Sequence, residues 1–533
     1  MQFESYAYGR DHFQMDPDLA EVLGWSLGGK PEWIDKLPAI GKIGGGRAYQ
    51  VAAHVDREAN PRLVMHDLDG RRVDRVELCP EHSALLTELA DINRPPYEGG
   101  AWQEHFAYGY LIADPGLYCS LIVTNQTIYA LHKYAPDLQK WIEPMLSGDL
   151  WGATWMTETQ GGSDLGANET TAEKEADAWR LSGTEKYFAS NAGLADAALV
   201  TARPQGAQQG PKGLALFLVP RLDRDGELNY LIRRLKAKSG TRAVPTGEVE
   251  LHGSEAYLIG EADQGIYYTL ETLTVSRLAN AVGAVGLARK AQFEAVLRST
   301  QREAFGSVLN EHALMRQDLT DIAVRTTGSL VLVFHGIKLF DDAWGAMPPY
   351  TPEYHYARFF SHLLKNRTAE HAADVTRLAM EIFGGLGFMD ECPLPRLHRE
   401  ALVTSIWEGT SNIQALDMLE VMQKKGAHEM FLDAFSEKGD NPAGKRALEV
   451  IRAGLSAMEK KSAAEAQWGA KDLLRSLADA ATVLLLLDLA GEAGETYEKV
   501  ADLYAARFLD KTGYPAWALE ERQIWLPDSI LGN

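Results

Sequence analysis

The chain has 533 residues, 46% hydrophobic and 24% charged, with a formal net charge of -21. That length exceeds one simple core and predicts two to four domains. The acidic balance argues against broad binding to nucleic acid or anionic membranes, so a polyanionic ligand would need a local basic site. Cys79, Cys119 and Cys392 form no CxxC pair and no disulfide framework, and the opening MQFESYAYGRDHF lacks a basic, apolar signal. Both features predict a cytoplasmic protein. The longest aliphatic run, Val483 to Leu487, stops at Asp488 and is far short of a membrane span.

Residues 1–60 mix short apolar stretches with turns. The run Gly44, Gly45, Gly46 has no strand-turn-helix context, so it reads as a flexible loop. In PRLVMHDLDGRRVDRVEL, Asp69-Gly70 between alternating apolar residues predicts a hairpin. Residues 80–150 read as helices punctuated by Pro and Gly. From Gly152 to about residue 265 the segments are short and β-like, with PQGAQQGPKG as a mobile loop between two of them. Helical periodicity then returns. SRLANAVGAVGLARKAQFEAVLRSTQREAFG carries a stripe of small residues that permits close packing. NRTAEHAADVTRLAMEIFGGLGF predicts a second long helix ending at Gly384-Gly385. Residues after about 430 read as an extra helical domain.

No Rossmann fingerprint, P-loop, HExxH or GxSxG is present, and the 14 histidines show no metal-ligand spacing. Four polar islands stand out. WMTETQGGSDLG places Thr157, Gly162, Ser163 and Asp164 in a turn after a strand, suited to a phosphate or flavin edge, or simply a polar turn. KYFASN puts Phe188 and Ser190 on one strand face, against a ring or in the core. QREAFG sets Arg302 and Phe305 near a helix end, where the arginine clamps a phosphate or is merely solvated. IWEGTSN puts Glu408 between Trp407 and Gly409, ahead of a helix that Thr410 or Ser411 can cap. Glu408 reads either as a charge favoured by the helix dipole or as a general base in a dry setting made by Ile406 and Trp407.

Taken together and in order, MTETQGGSD, KYFASN, RLANAVGAVGLA, QREAFG, EIFGGLGF, PLPRLHRE and IWEGTSNIQ resemble the acyl-CoA dehydrogenase family over about residues 85–425. EANPRLVMHDLDGRRVDRVEL and Glu381 resemble its larger AidB-like branch. The resemblance implies a mainly α fold with a central β-domain. Its parts are an N-terminal region with hairpin and helical domain (1–151), a β-barrel-like middle domain (152–265), a C-terminal four-helix domain (266–429) and an additional helical domain (430–533).

The same resemblance implies noncovalent FAD and a homo-oligomer, usually a tetramer. By position, Met156, Thr157, Gly162 and Ser163 should lie on the flavin and phosphate side, Phe188 and Ser190 over the ring, and Thr410 and Asn412 against FAD. Arg302, Phe305, Gly384 and Gly385 should reach the FAD of a neighbouring subunit. Glu381 stands where most short members have Gln, and a carboxylate cannot donate the hydrogen bonds Gln does. Arg277 matches an arginine near the CoA entrance, and Trp407 lies at the substrate. Glu408 matches the base that takes the α-proton while a β-hydride goes to flavin N5. A dry pocket raises such a carboxyl above its ordinary value of about 4.3. Ser276 fills the alternative base position and cannot serve.

The implied activity is α,β-dehydrogenation of an acyl-CoA, with electron-transfer flavoprotein as acceptor. The competing readings are an oxygen-using acyl-CoA oxidase and an AidB-like flavoprotein that binds DNA. From Lys424 onward there are 14 Lys+Arg and 18 Asp+Glu, net -4, which argues against a duplex-binding face.

Overall fold

The computed structural model describes residues 5–176, 178–436 and 441–532. The first residues of the MQFESYAYGRDHF stretch, and Asp177 of the β-rich region, lie outside them. The chain divides into two compact units. One comprises 51–100 and 115–276; the other comprises 1–50, 101–114 and 277–533.

In the first unit, Asp69-Gly70 turns a hairpin of β1 (Arg62–His66) and β2 (Arg72–Glu77), as its residues predict. Asp67 Oδ1 accepts from the backbone N–H groups of Asp69 and Arg71, and Gly70 takes φ 80°. The hairpin is anchored by the buried Asp74, which pairs with Arg72 and accepts from Ile232 N at 2.7 Å. The β-rich part holds β3 (Gly152–Trp155), β4 (Thr171–Glu175), β5 (Ala178–Ser190), β6 (Ala197–Pro204), β7 (Ala215–Pro220), β8 (Leu231–Leu235) and β9 (Thr246–Ile259). The pairings β6–β4–β5–β9–β7–β6 close on themselves, which yields the expected barrel-like domain; β3 and β8 pair at its side with β6 and β9. Trp155, Leu181, Val200, Phe217 and Ile232 fill one core of the sheet. A second core packs Leu199, Leu216 and Leu218 with Ile128, Leu131 and Tyr134 of the Pro115–Tyr134 helix. The expected mobile loop is pinned: Arg203 Nη1 donates to the carbonyls of Gln208 and Gly210.

The second unit is helical. Its long members are Gly265–Gln301, from Arg277 onward, Ala313–Ala343, Pro352–Phe383 and Ala463–Ala493. Pro352–Phe383 starts with Thr351 capping the Tyr354 N–H and Pro at the first position, and stops at Gly384 with φ 63°. Ala463–Ala493 starts with the Ser462/Glu465 capping box. The late helices are built into the same bundle: Ala463–Ala493 packs on Ala313–Ala343, Pro352–Phe383 and Ser411–Lys425. Arg367 Nε donates to Asp479 at 2.6 Å, and Tyr504 meets the same carboxylate at 2.8 Å. The Ala313–Ala343 helix is long and apolar enough to cross a membrane, but 83% of its most apolar stretch is buried inside the protein.

One local expectation fails here. The glycine run is not a loop but the end of the Leu37–Gly45 helix. A Cβ on Gly44 would lie 2.0 Å from the carbonyl oxygen of Leu111, and one on Gly45 would lie 2.1 Å from that of Arg10. The glycines are there for close packing, which outweighs their poor helix propensity.

Candidate active site

Glu408 sits in the short connection between the helices Pro393–Thr404 and Ser411–Lys425. Its backbone is left-handed, φ 57°, followed by Gly409 at φ 98°. A non-glycine residue holds such a conformation only where its surroundings impose it. They do so through buried donors. Arg277 Nε donates to the Glu408 carbonyl at 3.2 Å, and Gln414 Nε2 donates to the carbonyls of Glu408 and Gly409, each at 3.0 Å. Lys365 Nζ donates to the Gly409 carbonyl at 2.6 Å. Arg277, 3% exposed, is paired with Asp417 at 3.0 Å. Its Nη1 is buried with no partner among the described residues. The Gln414 amide is oriented by His362, whose Nδ1 lies 2.9 Å from Oε1. Burial pushes His362 down to about 3, so it is neutral. Burial, with the Arg277 charge, also pushes the Lys365 ammonium down to about 7, against the attraction of Glu408.

Two expectations about this loop need correcting. The setting is not dry in the single chain: Ile406 is 62% exposed, and Trp407 and Glu408 are half-buried. Thr410 is the N-cap residue, but its side chain makes no capping bond. Trp407 Nε1 instead donates to Asn280 Oδ1. Lys365, Gln414, Asp417 and Asn280 were missed by sequence reasoning. A lysine inside the apolar run FFSHLLKNRT was the available signal for Lys365.

In the β-rich unit, Met156, Thr157, Gly162 and Ser163 lie on the turn after β3. A Cβ on Gly162 would meet Thr157 Oγ1 at 2.7 Å, so glycine lets the turn close tightly on that side chain. The turn is tied to β5 by a pair that the sequence reading also missed. Glu158, inside MTETQGGSD, meets Lys186 of KYFASN at 2.7 Å, both side chains fully buried. Glu158 further accepts from Thr170 Oγ1 at 2.5 Å and from Glu169 N at 2.7 Å. Burial alone would raise this carboxyl, but Lys186 and these hydrogen bonds outweigh it and hold it at about 2. On the same strand Phe188 is 53% exposed, with the ammonium of Lys236 4.6 Å from its ring centre. The Ser190 hydroxyl donates to the Thr154 carbonyl at 3.1 Å and accepts from Thr154 N, joining β5 to β3.

Back in the helical unit, Arg302 and Phe305 flank and form a small hairpin of β10 (Glu303–Ala304) and β11 (Ser307–Val308). Arg302 is exposed, and Phe305 is 99% exposed at φ 52°. Gly384, Gly385, Thr410 and Asn412 also face solvent. Glu381 is exposed and pairs with Arg377. Thus Arg277, Trp407 and Glu408 are brought together in one unit, and Thr157, Phe188 and Ser190 in the other.

Family comparisons bear on both arrangements. Residues 263–423 match the acyl-CoA dehydrogenase C-terminal domain, 153–254 the acyl-CoA dehydrogenase middle domain, and 4–150 the adaptive response protein AidB N-terminal domain. The putative acyl-CoA dehydrogenase AidB of Escherichia coli (strain K12) is 32% identical over 425 residues, 74% of this chain and 75% of that protein. This chain belongs to the acyl-CoA dehydrogenase family. Its AidB-type N-terminal domain puts it in the AidB-like branch, and it is an oxidoreductase of the acyl-CoA dehydrogenase class. Acyl-CoA dehydrogenase family member 11 of Caenorhabditis elegans is 30% identical over 485 residues, 84% of this chain and 77% of that protein. The crystal structure of Caenorhabditis elegans ACDH-11 in complex with C11-CoA superposes with a TM-score of 0.83 at 25% identity, covering 99% of this chain and 97% of that one. The fold reading, including the AidB-like extension, therefore stands.

Proposed function

We propose that this acyl-CoA dehydrogenase uses FAD and α,β-dehydrogenates an acyl-CoA thioester, with Glu408 as the base for the α-proton. The observation that carries the reading is the Glu408 loop: a carboxylate on a left-handed residue whose carbonyl, and the next, are held by Arg277, Gln414 and Lys365. Buried donors fix the direction of the peptide, and positioning of a base is a large part of its efficiency. Glu408 in turn draws on the Arg277 and Lys365 charges, which ties both cations to this loop. A bound thioester would cover the half-exposed Trp407 and Glu408 and exclude water from the proton transfer.

FAD, when bound, would supply the acceptor for the β-hydride. The residues fit such a group: Phe188 offers an exposed aromatic face on β5, and Thr157, Gly162 and Ser163 form a tight polar turn after β3. Exposure of Arg302, Phe305, Gly384 and Gly385 supports their use across a subunit boundary in a homo-oligomer, in keeping with a tetramer. The C11-CoA complex of the nematode relative supports an acyl-CoA ligand. Electron-transfer flavoprotein is the acceptor proposed for the reduced enzyme.

The test is anaerobic stopped-flow mixing of FAD-loaded protein with butyryl-, octanoyl- and undecanoyl-CoA. Wild type should bleach the flavin with at least one of them. Glu408→Gln should bind the same ligands and lose roughly 10²–10⁴ or more in rate. Bleaching at the wild-type rate in Glu408→Gln would remove the base assignment, and protein that stays colourless with FAD would remove the flavin.

A further inference from the structure

Lys365 belongs to the middle of the Pro352–Phe383 helix, where it is 1% exposed. A buried lysine is costly unless something requires it. Among the described residues its ammonium reaches one hydrogen-bond acceptor, the Gly409 carbonyl. That carbonyl does not depend on it for satisfaction, because Gln414 Nε2 already donates there at 3.0 Å. The lysine therefore does more than fill an empty acceptor. It brings a charge to the peptide immediately following Glu408, at the one point of the loop where Glu408 and Gly409 are both left-handed.

We propose that Lys365 is a positioning residue for the reaction: through the Gly409 carbonyl it locks the 408–409 peptide in the conformation that aims the Glu408 carboxylate, and its charge sets the field in which that carboxylate works. This rests on Glu408 being the base. The charged groups around it are Arg277 on the Gly265–Gln301 helix, Glu408 on the loop and, paired with Arg277, Asp417 on the Ser411–Lys425 helix. Arg358 bears on Arg277 from two turns earlier on the lysine's own helix, and His362, one turn earlier, is held neutral by burial. Burial and Arg277 together push Lys365 down to about 7, against Glu408. Its charge is thus present below neutrality and lost above it. Loss of the charge leaves an amine that still donates the hydrogen bond but no longer draws on the Glu408 carboxylate.

The experiment compares wild type, Lys365→Met, Lys365→Arg and Glu408→Gln, all loaded with FAD, in anaerobic flavin reduction from pH 5.5 to 9. The probe is whichever of butyryl-, octanoyl- and undecanoyl-CoA reduces wild type fastest; its Kd is measured from the spectral shift on binding. Wild type should show an inflection near pH 7 in the reduction rate. Lys365→Met should slow reduction on the order of 10²-fold, the scale of a base displaced by about 1 Å, with Kd within about twofold of wild type. Lys365→Arg should recover most of the rate, and its profile should be flat near neutrality, because a guanidinium does not titrate there. Should Lys365→Met fail to fold, wild type and Lys365→Arg decide alone: an inflection kept by the arginine variant overturns the proposal, and its disappearance supports it. Wild-type rate and profile in Lys365→Met also overturn it. If Lys365→Met is unimpaired while Glu408→Gln is dead, only the positioning role falls. If Glu408→Gln reduces at the wild-type rate, the base assignment itself falls.

Discussion

The β-rich and helical units each place buried charge directly behind a family motif, and they use it in opposite ways. In the β-rich unit Lys186 meets a carboxylate, Glu158, that is also saturated by Thr170 and backbone donors. The result is an inert brace between MTETQGGSD and KYFASN. In the helical unit the buried cations also reach the loop backbone: Arg277, itself paired with Asp417, and Lys365 donate to the carbonyls of Glu408 and Gly409. The acidic side chain there is carried on a left-handed residue and is half-buried. The contrast teaches that buried cations behind a motif can lock a side chain, as Lys186 does with Glu158, or the peptide that carries one, as Arg277 and Lys365 do at 408–409.

Four substitutions and one change of pH test this contrast, beginning with the largest effect. Lys186→Met leaves a buried carboxylate without its cation and should cost about 3–5 kcal/mol in denaturant unfolding. Glu408→Gln should change stability by less than about 1 kcal/mol in the same assay, since it leaves the donors on the loop carbonyls in place. Equal losses in the two variants would erase the distinction between brace and site.

Acid should expose the brace next. The Glu158 carboxyl is held below its ordinary value, at about 2, so its contribution is complete above pH about 4.5 and disappears as pH falls from there toward 2. The loss should approach about 3 kcal/mol, and Lys186→Met should flatten that part of the pH–stability curve. A curve unchanged by Lys186→Met over this range would show that other carboxylates dominate it.

Arg302→Ala should weaken FAD retention about tenfold, or ~1.4 kcal/mol, while leaving unfolding of the FAD-free protein unchanged, because the side chain is exposed. Unaltered FAD occupancy after gel filtration would count against its use across a subunit boundary. The smallest effect is expected at Glu408→Gly. Relief of the left-handed backbone should stabilise the protein by about 0.5–1 kcal/mol while abolishing flavin reduction. A loss of stability instead would mean that the glutamate side chain itself holds the loop.

Much of this architecture is legible in the amino-acid sequence. The Asp69-Gly70 turn, the stop at Gly384 and the change of texture near Gly152 are local signals, and each is realised where the residues indicate. They are readable because turn chemistry, capping and periodicity act over a few residues. The family, too, is carried by short motifs in fixed order. Those motifs, and not its surroundings, single out Glu408 as the residue to watch.

What the sequence could not decide depended on which distant groups meet. The glycine run ends a helix because the Leu111 and Arg10 carbonyls lie where side chains would be. Lys186 and Glu158 are 28 residues apart, and Lys365 and Gly409 are 44 apart. Nothing local names the partner of either lysine, because a buried ion pair or a buried donor is favourable only when folding supplies the partner and removes the water. The sequence marks the late helices as an addition but not their contacts, in which Asp479 and Tyr504 close on Arg367. The residues alone thus determined the family and the order of elements, and singled out Glu408 as the carboxylate to test. Tertiary structure decided which charges brace the fold and which buried donors meet the 408–409 peptide, since only packing sets the distances on which their energies depend.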